Sequence, residues 1–256
     1  MANANFNGLS SDYWQQQRER VANMVQRLQL RPFTKDGRDF PDPESTSPLT
    51  IGEGRRLSAC VMFIDICGFS NRPMDTPVEQ DLMLRVLALF FSEMIRVAEE
   101  HGGTVEKNTG DGLMVYFADD AGTTGTSSVQ KAVSCALTMQ AATFHLINPV
   151  IKASNSPEIQ FRVSMDYGNI TIARIGAARR FSSHAAIGTT ANFASKMLKF
   201  AKEDQIIMGE FAKQKLPIDW QIQYMQVLPI NSGWTYRANG SPYPIYMYTG
   251  RWAKLI

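Results

Sequence analysis

The sequence predicts an α+β fold, in which one antiparallel sheet carries helices on one face. Segments with strand and helix periodicity alternate in the order strand, helix, hairpin, helix, hairpin, helix. The strand-like segments are rich in apolar and β-branched residues, and the helix-like segments repeat an apolar residue every three or four positions. A chain of 256 residues is long enough for one domain of catalytic size with some additional segments.

The N-terminal region is predicted to lie outside this domain. Ser11 or Asp12 can cap a helix that runs to about Leu30, and its apolar residues approximate one face. Four prolines and several Gly, Ser and Thr residues follow. We therefore predict a helical arm at 1–30, a polar linker at 31–56 and the main domain at 57–256.

The first elements of the main domain have clear local signals. The stretch "RLSACVMFIDI", which begins at Arg56, has the composition of a largely buried strand. Thr76, Pro77 and Glu79 then provide a helix cap, a first-turn proline and a capping-box acid. The helix that they start is expected to end at "HGG", residues 101–103.

The later elements continue the alternation. The stretch "TVEKNTGDGLMVYF" predicts a tight hairpin around "TGDG", and a second helix is predicted from Ser128 to Leu146, ending before Pro149. The stretch "IQFRVSMDYGNITIARIG" predicts two strands joined at "YGN". The last clear element is a helix over "GTTANFASKMLKFAKE".

Composition argues against several classes of partner. The net charge is +2 and no basic stripe is present, so nucleic acid is not expected as a partner. Cys60, Cys67 and Cys135 have unrelated spacings that fit neither a disulfide framework nor a zinc site, which favours a reducing, cytoplasmic location and core roles for these residues. The most apolar stretch, residues 82–91, contains Arg85, so direct insertion into a membrane is not expected.

Two acidic residues are candidates for a metal site. Asp65 lies near the end of the first strand with no cation in the local sequence, and Asp111 lies at the tip of the next hairpin. If these strands are neighbours, both carboxylates emerge at one edge and can hold Mg²⁺ or Mn²⁺. Gly68 and Gly110 would let the backbone approach phosphates closely. The alternative is that Asp65 caps a turn and Asp111 occupies a hairpin position that favours Asp.

Three segments carry a family resemblance. In this order, "FIDICGFS", "GGTVEKNTGDGLMVYF" and "AIGTTANFASKM" resemble the signature segments of the class III nucleotidyl cyclases, the adenylyl and guanylyl cyclase family. The resemblance implies a ferredoxin-like catalytic domain that cyclises a nucleoside triphosphate and releases pyrophosphate. It further implies two divalent ions per site, Mn²⁺ or Mg²⁺, and a head-to-tail homodimer with two equivalent sites.

The resemblance also assigns roles to individual residues. Asp65, Asp111 and the backbone carbonyl of Ile66 match the metal ligands of the family. Asn192 and Lys196, four apart on one helix face, match its transition-state Asn and Arg, with Lys in place of the usual Arg. Further nucleotide contacts are implied for Phe63, Cys67, Gly68, Phe69 and Gly110.

The positions that select the base favour a pyrimidine. Lys107 matches the base-donating lysine of purine cyclases, whereas Ala185 stands where its Asp or Thr partner is usual. A methyl group cannot accept a hydrogen bond from an exocyclic amine, while the carbonyl of uracil can still face Lys107. This favours UTP, although Ala185 is also compatible with a relaxed site. His184, beside Ala185, is a candidate to line the base pocket.

The whole chain resembles the stand-alone pyrimidine cyclases of the bacterial anti-phage systems known as Pycsar, and among them the uridylate cyclases. That resemblance implies cyclic UMP as a phage-triggered signal and a separate effector protein that senses it. The late phosphate-binding lysine of the family has no counterpart, and only Arg237 lies in that region. Two alternatives remain open: a purine cyclase with unusual base contacts, and, given Lys196 and the missing lysine, an inactive nucleotide-binding or dimerisation module. A diguanylate cyclase is disfavoured because the hairpin reads "TGDGL".

Overall fold

A computed structural model of the chain describes residues 10–30, 52, 54–108, 110–119, 126–177 and 181–252. The strands are β1 (Gly54–Ile66), β2 (Thr104–Asn108), β3 (Gly112–Ala118), β4 (Phe161–Ala177), β5 (Phe181–Ile187), β6 (Ile206–Gly209), β7 (Met225–Val227) and β8 (Ile245–Tyr248). The helices are α1 (Ser11–Leu30), α2 (Pro77–Glu100), α3 (Ser128–Ala142), α4 (Asn148–Ala153), α5 (Thr189–Met197), α6 (Glu210–Lys213) and α7 (Ile218–Tyr224).

The described strands form one mixed sheet, which confirms the predicted α+β class. Its order is β2-β3-β1-β4-β6-β8-β7, and β5 pairs with β4 outside this path. Neighbouring strands are antiparallel except for β4 and β6, which are parallel. The parallel pair was not predicted. It arises because α5 lies in the connection from β5 and returns the chain to the end of the sheet where β4 begins.

The central strand β1 buries side chains on both of its faces. Cys60, Met62 and Ile64 belong to the main core with residues of α2 and α3, which confirms the predicted face covered by helices. The alternate residues Ala59 and Val61 pack with residues of α5 on the opposite face. Helix α5 is therefore the exception to the one-face arrangement, and it is the helix that carries the candidate transition-state residues.

The stretch predicted as two strands joined at "YGN" is a single strand, β4. Gly168 does not form a turn there. A Cβ atom on Gly168 would lie 2.5 Å from the Thr190 side-chain oxygen, so this glycine permits close packing against the start of α5. The turn prediction failed because a glycine next to Asn is typical of a hairpin turn, whereas this glycine is needed for close packing.

The capping box of α2 is present as predicted, with Thr76 and Glu79 bonded reciprocally. The second predicted helix, by contrast, continues past its expected end at Leu146. After α3 the chain forms a π-helical turn at 143–147 and then α4, with Pro149 in its first turn. Proline is tolerated there because the first helical N–H groups have no intrahelical acceptor.

The arm α1 packs against the main domain. Tyr13 and Val21 are buried, and Arg20 makes ion pairs with Glu93 at 3.1 Å and Glu100 at 3.2 Å on α2. The predicted linker at 31–56 lies outside the described residues up to Ile51, and β1 already begins at Gly54. No helix in the described part of the chain combines the length and apolarity needed to cross a bilayer.

We predict that Arg20→Ala lowers the free energy of unfolding by about 2 to 4 kcal/mol, because Glu93, whose side chain is only 5% exposed, loses its partner. Adding Glu93→Gln should restore part of this loss, since the pKa of Glu93 is raised by burial even beside Arg20. Urea unfolding measures both effects, with Arg18→Ala on the exposed face of α1 as the control. Equal stability of the Arg20→Ala and Arg18→Ala variants would contradict the prediction.

A second buried carboxylate lies in β4. Asp166 is 2% exposed and accepts hydrogen bonds from the Tyr243 hydroxyl at 3.0 Å and from the backbone N–H of Tyr167 at 2.9 Å. Burial raises the pKa of Asp166 to about 7, and the hydrogen bonds only partly oppose this shift. Because the folded pKa lies above the unfolded value, the folded state binds the proton more tightly and loses stability as the pH rises towards 7.

We therefore expect Asp166→Asn to stabilise the protein at pH 8, by on the order of 2 kcal/mol, and to have little effect near pH 4. The amide keeps an oxygen acceptor and removes the charge that burial disfavours. Thermal unfolding at both pH values measures this difference. A variant less stable than the wild type at pH 8 would show that the ionised carboxylate is needed there.

Candidate active site

The backbones at Asp65 and Asp111 lie side by side where β1 ends and β3 begins. Asp65 lies opposite Gly112 in the β1–β3 register, and the Ile66 N–H donates to the backbone carbonyl of Asp111 at 2.9 Å. The backbone positions of these two residues therefore agree with the prediction that they lie at one edge of the sheet. The two carboxylates and the nearby carbonyl of Ile66 are oxygen donors of the kind that Mg²⁺ and Mn²⁺ prefer, so this donor set fits such ions.

The charge of Asp65 has a partner that local sequence did not reveal. Arg162 on β4 lies directly across from Asp65, and its Nε and Nη2 atoms lie 2.8 and 2.7 Å from the same carboxylate oxygen, Oδ2. The local sequence around Asp65 contains no cation, but the fold supplies one from a strand 97 positions later. The available signal was an arginine at the second position of an apolar strand, but only the strand register identifies its partner.

The segment after β1 exposes backbone beside this ion pair. Gly68 is exposed and has a φ of +63°, a conformation that favours glycine, and its carbonyl accepts from Asn71 N–H at 3.1 Å. The Cys67 N–H donates to Gln160 at 2.8 Å, which ties the segment to the start of β4. Phe69 packs against the main core. The turn is held from beneath while Gly68 faces open space.

A cleft of about 650 Å³ lies at this end of the sheet, lined by Cys67, Gly68, Arg162, Lys202 and neighbouring residues of the turn after α5. Gly110 in the β2–β3 turn is also exposed and has a φ of +97°. Among the described residues, no group of three or more His, Cys, Asp and Glu side chains is placed to hold a metal ion. Within the part of the chain that the structure describes, the side-chain donors here are the two aspartates.

Asn192 and Lys196 lie on the exposed side of α5, as their spacing predicts. The opposite side of the helix is anchored, since Met197 is buried and Phe193 stacks on Trp234 with a centroid distance of 4.8 Å. The Ser164 hydroxyl donates to the carbonyl of Ala194 at 2.6 Å. These contacts fix the helix on the sheet and leave both polar side chains accessible.

The base-selecting positions lie elsewhere on the sheet. A pocket of about 450 Å³ is lined by residues of β2 together with Tyr116 and His184, and its size suits a small ligand. Ala185 follows His184 on β5 and is half-buried, as is Phe63 on β1. Lys107 lies in β2 opposite Met114, next to a register irregularity, and its side chain lies outside the description. Neither aspartate lines this pocket.

The predicted site residues therefore lie in three parts of one chain: the end of β1 with Asp111, the exposed side of α5, and strands β2 and β5, where His184 lines the pocket. Arg237, the remaining basic candidate, is exposed between β7 and β8. Cys60 and Cys135 are buried as predicted, and burial raises the pKa of Cys67 to about 11, so its thiol stays protonated at neutral pH.

Comparison with known proteins agrees with this geometry. Residues 53–232 match the model of the adenylate and guanylate cyclase catalytic domain. An uncharacterized protein of Mycobacterium tuberculosis is 25% identical over 200 residues, which cover 78% of this chain and 32% of that protein. The chain thus spans about a third of the length of such relatives.

Two further similarities are informative. A uridylate cyclase of Burkholderia cepacia is 26% identical over 164 residues, covering 63% of this chain and 67% of that protein. The crystal structure of the guanylyl cyclase Cya2 superimposes with a TM-score of 0.63 at 20% identity, covering 77% of this chain and 94% of that one, which shows the shared fold. Because the family match includes both aspartates and most of the sheet, this chain belongs to the adenylate and guanylate cyclase catalytic domain family.

Proposed function

We propose that the protein converts UTP to 3′,5′-cyclic UMP and pyrophosphate, as a head-to-tail homodimer with two Mn²⁺ or Mg²⁺ ions per site. The proposal rests on the residues found at two opposite ends of the sheet. One end offers paired aspartates beside an arginine, and the other offers a pocket lined by His184. The neighbouring residue on β5, Ala185, stands where the resemblance to purine cyclases expects a base-accepting Asp or Thr. The similarity to the Burkholderia cepacia uridylate cyclase supports the choice of base.

The reaction needs positioning more than covalent chemistry from the protein. The ribose 3′-oxygen forms a bond to the α-phosphorus, the bond to the bridging oxygen of pyrophosphate breaks, and the hydroxyl proton passes to solvent. Bound divalent ions would supply charge neutralisation and lower the pKa of the 3′-hydroxyl. Asp65, Asp111 and the Ile66 carbonyl are the groups that would hold these ions. Arg162 keeps the Asp65 carboxylate in place through one oxygen, Oδ2.

Helix α5 would provide the donors for the transition state. Asn192 can donate from its amide and Lys196 from its ammonium, and both are exposed on an anchored helix. Donors held in place before the reaction cost no reorganisation when charge develops on the phosphoryl group. Because this helix, the aspartates and the base pocket occupy separate surfaces of one chain, we propose that facing protomers bring them together.

The proposal extends to the cellular role. A soluble cyclase that makes cyclic UMP in the cytoplasm would act as a signalling enzyme in anti-phage defence, with a separate effector that binds the product. The alternative is a purine cyclase, which the similarity to guanylyl cyclase structures favours. Incubation of the protein with each of the four NTPs and Mn²⁺, followed by mass spectrometry of the products, distinguishes these activities. A cyclic product formed mainly from ATP or GTP would refute the choice of UTP.

Removing the charge of Asp65 should abolish most turnover. We predict that Asp65→Asn lowers kcat by about a hundredfold or more, because a neutral amide holds divalent ions weakly. Titration of Mn²⁺ by electron paramagnetic resonance should show weaker binding than in the wild type. Asp81→Asn, on the exposed side of α2, serves as the control. Full turnover by the Asp65→Asn variant would refute the metal assignment whichever nucleotide is used.

Restoring an acceptor at Ala185 should change the preferred base. We expect Ala185→Asp to raise kcat/KM for ATP relative to UTP by about tenfold or more, because the carboxylate can accept from the adenine amine. Ser183→Asp, two residues earlier on the same strand, adds the same charge as a control. An unchanged ratio in the Ala185→Asp variant, or an equal change in both variants, would remove Ala185 from base selection.

A further inference from the structure

We propose that Trp234 is a positioning residue for the reaction, an inference that rests on the proposed function. Trp234 sets the rotation of α5 about its own axis, and thereby the direction in which Asn192 and Lys196 project. It lies in the connection between β7 and β8, outside the three segments that carry the family resemblance. It acts through α5 and not through the nucleotide.

Helix α5 depends on tertiary contacts for its orientation. It has nine residues, and its N-cap, Gly188, provides no side-chain hydrogen bond. A helix this short is marginal by itself. The methyl groups of Ala191 and Ala194 lie against the sheet, the Ser164 hydroxyl donates to the Ala194 carbonyl at 2.6 Å, and Met197 is buried. Small or flexible side chains and one hydrogen bond fix the distance between helix and sheet, but they restrain rotation of the helix only weakly.

Trp234 supplies a restraint on this rotation. Its ring stacks on Phe193 of α5, with a centroid distance of 4.8 Å and an angle of 4° between the planes. It also meets Phe200, in the turn that follows α5, edge to face at 5.8 Å. Phe193 comes directly after Asn192 and three positions before Lys196. A rotation of α5 that moved these two polar side chains would therefore separate the stacked rings.

A small hairpin between β7 and β8 fixes the position of Trp234. The Tyr243 N–H donates to the Trp234 carbonyl at 2.8 Å, and Thr235 and Pro242 form an antiparallel bridge. Tyr243 is anchored in turn, since it is 4% exposed and its hydroxyl donates to Asp166 of β4 at 3.0 Å. The hairpin therefore holds Trp234 relative to the same strand on which α5 packs.

The geometry of the donors gives this restraint a consequence for catalysis. Asn192 and Lys196 are exposed, so the orientation of the helix decides where their donor groups lie. Such donors stabilise a transition state only when they are held where charge develops, and a displacement of about 1 Å can lower a rate about a hundredfold. Loss of Trp234 should therefore lower kcat, whereas KM should change little because the ground-state contacts with the nucleotide remain.

The test compares Trp234→Leu with Trp220→Leu. Trp220 on α7 is also partly buried, and its ring packs against Tyr248 at 6.0 Å, so its loss removes a similar aromatic contact away from α5. Steady-state kinetics with the preferred NTP and Mn²⁺ give kcat and KM. We expect Trp234→Leu to lower kcat about tenfold with KM changed less than about threefold, Trp234→Phe to retain most of the activity, and Trp220→Leu to leave kcat unchanged.

A double-mutant cycle distinguishes positioning from general destabilisation. If Trp234 acts through the donors of α5, Trp234→Leu should lower kcat only about threefold or less in a Lys196→Gln background, because one of the two donors is already missing. Equal effects of Trp234→Leu in both backgrounds, or a similar loss of kcat in Trp220→Leu, would overturn the role of Trp234.

Hydrogen exchange separates this inference from the proposed function. Without any nucleotide, Trp234→Leu should speed amide exchange in α5 more than Trp220→Leu does, because the helix loses the contact that orders it. Unchanged exchange in α5 would overturn the inference even in an active cyclase. A wild-type protein that forms no cyclic nucleotide from any NTP would refute the proposed function instead, while the exchange measurement still shows whether Trp234 orders α5.

Discussion

The contact between Asp65 and Arg162 is the interaction on which the organisation of the candidate site depends. It joins the end of the central strand β1 to the start of β4, and the two residues lie 97 positions apart in the chain. Both arginine nitrogens contact the same oxygen of Asp65. The pair reduces the cost of placing a carboxylate at the end of a buried strand before any ion or nucleotide binds. It also fixes the carboxylate at the point where β1 meets the β2–β3 turn.

Around this pair, alternate residues of the central strand β1 point to opposite faces of the sheet and pack into two different cores. One face of β1 supplies the main core with α2 and α3, and the other supports α5. Helix α5 is secured by small residues facing the sheet and by Phe193 against Trp234, so its polar side stays exposed. The N-terminal helix reinforces the opposite side of the domain through Arg20 and the partly buried acids of α2.

The sequence predictions were most accurate where the residues that decide the structure are close together in the chain. The start of α2 was predicted correctly because Thr76 and Glu79 interact within one turn. The long β4 was mistaken for a hairpin because Gly168 packs against Thr190, a contact that local composition does not reveal. The second helix was expected to stop before Pro149, whereas a π-helical turn resets the helix so that the proline falls in the first turn of α4.

The sequence by itself indicated the family and the shared exposed side of Asn192 and Lys196 on α5, because these depend on short spacings within single segments. The backbone proximity of Asp65 and Asp111 follows from the β1–β3 register. Only the tertiary structure decided that Arg162 neutralises Asp65, that α1 packs on α2, and that the turn after α5 brings Lys202 to the cleft. These are contacts between residues distant in sequence. Their partners are chosen by strand register and helix packing, which no single stretch of the chain encodes.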